Sequence, residues 1–279
     1  MIRSGPTADT VRQATAQTLR AADRQNWTPD ELSWGDLRPE LLTDDDRQIV
    51  KLLTLVEDHI PDYLGFTLSR FPTTGDLDRE TYLRNREYFR FLIQWANDED
   101  KHASVLIRYQ LAAEISDRRG LDEELAAAGR KPVVLPYEEP LELFIYTFLQ
   151  EKATQLFYRH YEQAVQEPFL ADLLRRLSRD EARHFAFYSR LVEDALRRAT
   201  PTSGDLERVK NVLSTFRMPL DGVLDGYWRM ALAAVRTVGR DHTEAYDALG
   251  KMVRKYSGTL GVPAVDDLES LITQVRQLG

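Results

Sequence analysis

Cysteine is absent from this sequence of 279 residues, which excludes disulfide bonds and metal sites built from thiolates. Histidine and carboxylate side chains are the strong metal ligands that remain. No apolar run approaches the ~20 residues that a membrane-spanning helix needs. The N-terminal stretch also lacks the apolar centre of a secretory signal. We therefore expect a cytoplasmic protein with no membrane segment.

Positive charge is in deficit as well, since the formal net charge is −8 at pH 7, and general nucleic-acid binding is not expected. Alternation of apolar and polar residues with period two never persists long enough to predict a sheet. The hydrophobic fraction of 43% is ordinary for a globular protein. The sequence therefore predicts an all-α fold, which we expect to form a single domain over residues 1–279.

The clearest pattern lies in a helical stretch that contains the run RDEARHFAFY. Apolar residues recur along it at alternating steps of three and four, which is typical of the core positions of a helix bundle. Glu181 and His184 occupy two of these core positions, three residues apart on one face. A buried, isolated charge would be very unfavourable, so a metal ion is the leading candidate for what compensates it. A lone Glu-x-x-His arises easily by chance and carries little weight alone.

Three other helical stretches place polar residues in the same core register. One repeats the pattern with Glu99 and His102, and the other two contribute Glu57 and Glu151 singly. Pro61 lacks the amide hydrogen that would bond to the carbonyl of Glu57, which predicts a kink at that glutamate. The order Glu, then Glu-x-x-His, therefore occurs twice along the chain.

Together these positions supply one Glu from each of two helices and Glu-x-x-His from each of the other two. This is the ligand set of carboxylate-bridged di-iron bundles. Four carboxylates carry a charge of −4, which two divalent ions cancel, and oxygen and imidazole ligands suit iron or manganese. The alternative is a buried polar network whose members satisfy one another without metal. The predicted metal ligands are Glu57, Glu99, His102, Glu151, Glu181 and His184.

The breaks between the helical stretches predict how the chain is organised. We expect a core bundle over about residues 43–199, with an N-terminal strap over residues 1–42. Residues 117–137 contain helix breakers around a short helical run, which suits the long crossover connection of a ferritin-like bundle. Residues 200–279 are predicted to form additional helices that pack outside the bundle. The predicted helical segments there are 205–217, 224–240, 242–256 and 264–278.

The blocks around the six predicted ligands resemble those of the soluble acyl-acyl-carrier-protein (acyl-ACP) desaturases. The resemblance covers roughly residues 25–225, and Met218-Pro219 falls where that family has the same dipeptide. Lys101 stands where the family usually has arginine, which changes no predicted ligand. The blocks are EDHIPDY (57–63), WANDEDKH (95–102), FIYTFLQEKAT (144–154) and DEARHFAFY (180–188).

Carried over position by position, the resemblance implies a role for each matching residue. Glu57 and Glu151 would be terminal ligands, whereas the other two glutamates would bridge two irons. Thr154 matches a threonine near the oxygen pocket of that family. Trp27 and Asp180 match residues on a proposed electron path to the metal site. Simple packing of Trp27 and orientation of a ligand histidine by Asp180 are the alternatives.

The resemblance implies an enzyme that uses O2 and two iron ions to introduce a cis double bond into an acyl chain on acyl carrier protein. It also implies a ferredoxin-type electron donor and a homodimer, and manganese in place of iron stays open. One alternative is a di-iron hydroxylase or N-oxygenase of another substrate. Others are a non-enzymatic ferritin-like metal-binding protein and a helical interaction module with a vestigial site.

Other side chains carry structural expectations. Asp98 and Asp100 flank Glu99, and we expect both side chains to be solvated. Surface or packing roles, outside the core register, are predicted for His59, His160 and His242. The candidates for the wall of an acyl channel, with ordinary core packing as the alternative, are Phe91, Trp95, Phe148 and Tyr158.

Overall fold

The computed structural model describes residues 5–199, 204–220, 224, 226–239, 243–256 and 262–278. Within these residues all regular secondary structure is helical, which confirms the all-α prediction. Over the same residues, no helix combines the length and apolarity that crossing a membrane requires. The α-helices are α1 (Ala8–Gln25), α2 (Asp44–Glu57), α3 (Ile60–Arg70), α4 (Arg79–Ala112), α5 (Arg118–Ala128), α6 (Pro140–Ala164), α7 (Pro168–Arg198), α8 (Asp205–Thr215), α9 (Tyr227–Val238), α10 (Thr243–Lys255) and α11 (Val262–Leu278).

Helix α2 begins where the sequence predicts the core bundle to start. Thr43 and Asp46 form a reciprocal capping box at its start, and the first turn is acidic, as the helix dipole favours. The predicted kink at Glu57 is a complete break, because α2 ends there and α3 starts at Ile60 with Pro61 in its first turn. The break fixes Glu57 at the last turn of α2, facing the other helices.

Two clusters of apolar side chains fill the space between the long helices. One cluster lies between α2, α4, α6 and α7 and includes Leu53, Leu106 and Leu174. The other lies between α3, α4, α6 and α7 and is rich in aromatic rings. Its rings of Phe91 and Phe187 stack with centroids 3.5 Å apart. Since α2 and α3 together run along one side, these elements enclose the middle of a four-helix bundle.

The remaining helices cover the bundle. Helix α1 packs against both α4 and α7, and α5 lies within the predicted crossover 117–137. Helix α9 packs against α2 and α6, whereas α8 and α10 contact α6 and support α11. The four helical segments predicted beyond residue 204 are thus confirmed. The assignment of the chain to one domain, with residues 1–42 as a strap, stays a prediction.

A buried glutamate joins the start of α7 to two other parts of the chain. Glu167 is fully buried and accepts hydrogen bonds from the backbone amides of Phe169 and Leu170, which caps the helix. It also accepts from the Tyr109 hydroxyl of α4 at 3.0 Å and from the backbone amide of Arg38 at 3.0 Å. One carboxylate therefore fixes the N-terminal segment, α4 and α7 relative to one another.

We expect the substitution Glu167→Ala to lower the free energy of unfolding by about 3 kcal/mol, because it leaves a buried hydroxyl and buried amides without an acceptor. Urea unfolding of the metal-free protein measures the change. Glu40→Ala is the matched control, since Glu40 is exposed and its loss should cost less than about 0.5 kcal/mol. Equal losses in the two variants would contradict the structural role of Glu167.

Candidate metal centre

Six side chains from four helices meet in the middle of the bundle. All are buried, with at most 8% of each residue exposed. They form two groups of four in which the candidate ligand atoms lie within 4.8 Å of one another, and Glu99 and Glu181 belong to both groups. The six are Glu57 from α2, Glu99 and His102 from α4, Glu151 from α6, and Glu181 and His184 from α7.

Each histidine points one ring nitrogen into its own group. His102 Nδ1 lies 3.6 Å from carboxylate oxygens of Glu57 and Glu99 and 3.5 Å from Glu181. His184 Nδ1 occupies the equivalent place in the second group. Its distances are 3.1 Å to Glu99, 3.4 Å to Glu151 and 3.8 Å to Glu181. The arrangement has the approximate two-fold symmetry that the repeated Glu-x-x-His predicts.

Several atoms that face the centre of these groups have no hydrogen-bond partner. Both Nδ1 atoms, Glu151 Oε2 and Glu181 Oε1 are fully buried and unpaired. Buried polar atoms are normally paired, since leaving one unpaired costs about 1–3 kcal/mol. Metal ions in the two groups would satisfy all four atoms, and a donor set of carboxylates and imidazoles suits iron or manganese. The side chains therefore fit a di-metal site.

Glu57 and Glu151 belong to one group only, and each of them accepts a hydrogen bond from an aromatic side chain. The Tyr158 hydroxyl donates to Glu57 Oε1, and Trp95 Nε1 donates to Glu151 Oε1 at 3.1 Å. Each carboxylate is left with its second oxygen directed toward the histidine of its group. The aromatic donors therefore orient these carboxylates without occupying the oxygens that face inward.

The crowding of carboxylates changes how these groups hold protons. Burial and the nearby Glu99 carboxylate raise the pKa of Glu57 to about 8. Burial and Glu181 raise the pKa of Glu151 well above its usual range. Burial alone would raise the pKa of Glu99 too, but contacts with His102 and the second histidine lower it. Without metal, the cluster therefore keeps protons that metal ions would displace.

Trp27 and Asp180 meet beside the first group, as their pairing in the resemblance implies. Trp27 Nε1 donates a hydrogen bond of 2.9 Å to Asp180, whose same oxygen lies 3.2 Å from His102 Nε2. Thr154 lies one turn beyond Glu151 on α6, partly buried. Their contacts are compatible with the roles implied by the resemblance, which stay predictions.

The prediction that Asp98 is solvated is wrong. Asp98 is only 2% exposed, and its carboxylate lies 3.3 Å from His184 Nε2 and accepts a hydrogen bond of 2.7 Å from Arg183. The residue lies at the edge of the core-facing stripe of α4, where α7 packs over it. Asp100 is exposed, as expected. The missed signal is the longer repeat Asp-Glu-x-x-His, which begins at both Asp98 and Asp180.

Each aspartate contacts the histidine of the other helix. Asp98 of α4 contacts His184 of α7, and Asp180 of α7 contacts His102 of α4. Arg183 Nη2 bridges the two aspartates, at 2.7 Å from Asp98 and 2.8 Å from Asp180. Lys101 Nζ lies 3.4 Å and 3.0 Å from the same pair. Burial alone would raise the pKa of each aspartate, but contacts with histidine and Arg183 lower it. Both therefore remain carboxylates that hold the outer ring nitrogens in place.

The other histidines and aromatic residues divide between packing and cavity walls. His59 is buried at the α2–α3 break, where its ring nitrogens lie 3.3 Å and 3.0 Å from two backbone carbonyl oxygens. His160 is partly buried, and His242 lies outside the described residues. Two of the aromatic candidates, Trp95 and Tyr158, line separate cavities. The other two pack in the aromatic part of the core, namely Phe91 and Phe148.

A family model described as fatty acid desaturase matches residues 21–268. Among curated relatives, DesA2 of Mycobacterium tuberculosis, provisionally named an acyl-ACP desaturase, is 24% identical over 144 residues. Acyl-ACP desaturase 7, chloroplastic, of Oryza sativa is 27% identical over 146 residues. The aligned segments cover 49% and 51% of this chain, but only 52% and 35% of those relatives.

Solved structures show the fold more completely. The X-ray structure of DesA2 aligns over 94% of this chain and 98% of its own, with a TM-score of 0.60 and 16% identity. A mutant of the R2-like ligand-binding oxidase with an anaerobically reconstituted Mn/Fe cofactor aligns over 96% and 92%, with a TM-score of 0.51 and 16% identity. These likenesses confirm the predicted ferritin-like bundle with additional helices.

We expect the metal-free protein to lose stability as pH rises from 4.5 to about 8. Between these values folded Glu57 keeps a proton that the unfolded chain releases. Its contribution is complete below the lower value and lost above the higher one. One such group changes the free energy of unfolding by about 1.4 kcal/mol per pH unit. Urea unfolding across this range measures the slope, and Glu57→Gln should reduce it.

An unchanged slope in Glu57→Gln would contradict the assignment of that proton to Glu57. The affinity for metal should instead increase as pH rises, because a metal ion must displace the proton on Glu57.

The substitution Asp98→Asn should weaken metal binding by about 10- to 100-fold, the usual cost of losing a group that orients a metal-binding histidine. Anaerobic titration of the metal-free protein with Fe(II) measures the affinity. Asp100→Asn is the matched control, since this exposed neighbour lies two residues away on the same helix. Equal affinities of the two variants would show that the Asp98 carboxylate does not act through His184.

Proposed function

This chain belongs to the fatty acid desaturase family, and we propose that it is an O2-dependent di-iron desaturase acting on an acyl chain carried by acyl carrier protein. A cis double bond is the expected product. The observation that carries the proposal is the pair of buried groups that share Glu99 and Glu181. A site of this kind for two adjacent ions is the ligand arrangement of carboxylate-bridged di-iron bundles.

The geometry supports a specific division of labour among the six side chains. Glu57 and His102 would hold one metal ion, and Glu151 and His184 would hold the other, with the shared glutamates between them. Two bound iron ions would supply the oxidising power that removes two hydrogens from an unactivated chain, with O2 as oxidant. Manganese at one or both positions fits the same donors.

The rest of the site controls the geometry of the ligands. The aromatic donors Tyr158 and Trp95 hold the outer oxygens of the terminal carboxylates through hydrogen bonds. The aspartates at 98 and 180 hold the histidine rings from behind. Such prearranged contacts keep the ligands in position through a reaction cycle.

A cavity of about 380 Å³ leads to this site from the side of α9. Glu57, Thr154 and Tyr158 form its inner end, whereas most of the wall is apolar and comes from α2, α6 and α9. Small-molecule sites usually measure about 300–1,000 Å³. The cavity is therefore suited to the hydrocarbon part of an acyl substrate, with the metal site at its end.

Electron delivery and assembly complete the proposal. The line from Trp27 through Asp180 to His102 is continuous in hydrogen bonds and would carry electrons from a ferredoxin-type donor to the site. Lys101 and Arg176 lie over the Trp27 ring, at 4.6 Å and 5.7 Å from its centroid. Both cations already pair with carboxylates, Lys101 with Asp98 and Asp180 and Arg176 with Asp172. We propose that the enzyme works in the cytoplasm as a homodimer.

Loading the protein with Fe(II) without oxygen, then adding O2, reductant and acyl-ACP, tests the function. Mass spectrometry should find an acyl product lighter by two hydrogen atoms, whereas an added oxygen atom would indicate a hydroxylase. In Glu181→Ala we expect product formation to fall by more than about 100-fold and metal content to drop, because both groups lose a ligand.

Asp100→Ala is the control for this variant, since it removes an exposed carboxylate from the same helix as Glu99. It should keep both metal content and product. A Glu181→Ala protein that retains full metal content and activity would refute the shared-ligand assignment. Metal uptake with no acyl product, in particles of cage size, would favour iron storage instead.

A further inference from the structure

A second, smaller cavity lies beside the metal site, between α3, α4, α6 and α7. Its volume is about 40 Å³, and its wall includes Trp95, which bonds to Glu151, and Gln150, which precedes that ligand. Tyr188, one turn after His184, also lines it. One water molecule needs about 10–15 Å³ of such space, so the cavity has room for about three groups of that size.

Two tyrosine hydroxyls in this wall have no hydrogen-bond partner. Tyr146 is only 4% exposed, and its hydroxyl is buried and unpaired. The Tyr63 hydroxyl, from α3, is buried and unpaired as well. Both side chains line the small cavity. Leaving each hydroxyl unpaired costs about 1–3 kcal/mol, which indicates that the cavity normally contains a partner for them.

This pair is unusual among the described residues. Apart from Tyr146, every buried tyrosine there has a hydroxyl partner. Two of them pair with each other at 3.0 Å, and the rest contact Glu57, Glu167, Asp46 and Thr215. The partnered tyrosines are Tyr88, Tyr109, Tyr137, Tyr158, Tyr161 and Tyr188.

The chemistry of the missing partner follows from the donors. Burial raises the pKa of Tyr146 and of Tyr63, so both remain phenols that can donate a hydrogen bond. The nearby Thr147 hydroxyl already donates to a backbone carbonyl at 2.9 Å. A ligand with an oxygen acceptor would satisfy the two phenols, whereas a methylene chain would leave them unpaired.

We propose that the small cavity binds an oxygen atom carried by the substrate beyond the reacting carbons, with Tyr146 and Tyr63 as the donors that select it. The inference rests on the proposed function, and it narrows the substrate class to acyl chains that carry a hydroxyl or carbonyl group. The large cavity holds the saturated part, and the small one limits what extends past the metal site to a few atoms. Tyr146 and Tyr63 are specificity-determining residues in this arrangement.

Binding to the metal-loaded protein without O2 or reductant tests this directly. The probes are an unsubstituted saturated acyl-pantetheine thioester and a series of its monohydroxylated derivatives. The members of the series are positional isomers in which the hydroxyl moves one carbon at a time. Wild-type protein should bind one isomer, or a few adjacent ones, at least about tenfold more tightly than the saturated chain. Tyr146→Phe and Tyr63→Phe should each reduce that preference while they bind the saturated chain at least as well.

Tyr82→Phe is the control, because this tyrosine is 44% exposed and should leave the preference unchanged. Wild-type protein that binds the saturated chain as tightly as every isomer would overturn the proposal, since water would then satisfy the phenols. A preference that survives in both phenylalanine variants would overturn it too. Because binding is measured without turnover, these results are independent of whether a double bond forms.

Discussion

Mutual repulsion among four buried carboxylates is the constraint on which this structure depends. Glu57 and Glu151 each lie within 4.8 Å of the shared Glu99 and Glu181, in a bundle whose surrounding core is apolar. In a medium of low polarity such a cluster can persist only with protons or cations among the carboxylates. The raised pKa values of Glu57 and Glu151 show that, without metal, protons relieve this repulsion. Metal ions bound in the two groups would replace those protons, so the same repulsion that weakens the metal-free fold would favour metal binding.

The charged residues behind the two histidines also balance one another. Asp98 and Asp180 add two negative charges behind the histidines, and Arg183 and Lys101 supply two positive ones at 2.7–3.4 Å. Because Arg183 contacts both aspartates, the two halves of the site are joined outside the metal groups as well as through the shared glutamates. Each helix thus fixes the ligand histidine of the other, and α4 and α7 have one relative position that satisfies both.

Much of this could be read from the sequence, because core registers and helix breakers are local properties. The six candidate ligand positions, a kink at Glu57 and the C-terminal helices follow from spacing and proline alone. The burial of Asp98 does not, because it depends on α7 lying across the edge of the α4 stripe. Periodicity assigns a residue to a face but not to the edge that a neighbouring helix covers. The cavities are likewise properties of packing between α3, α6 and α9, far apart in the chain.

The difference between the two cavities adds a constraint that the metal site alone does not give. Ligand identity determines which oxidation is accessible, but the surrounding walls determine which carbon is presented. On the α9 side the wall is apolar and the space is large, so hydrocarbon gains free energy by leaving water. On the α3 side the space is small and the wall is also largely apolar, but Tyr63 and Tyr146 add two unpaired hydroxyl donors to it. In the proposed arrangement, a chain that extends from the large cavity to the small one places its oxygen atom near these donors, and that contact sets its register.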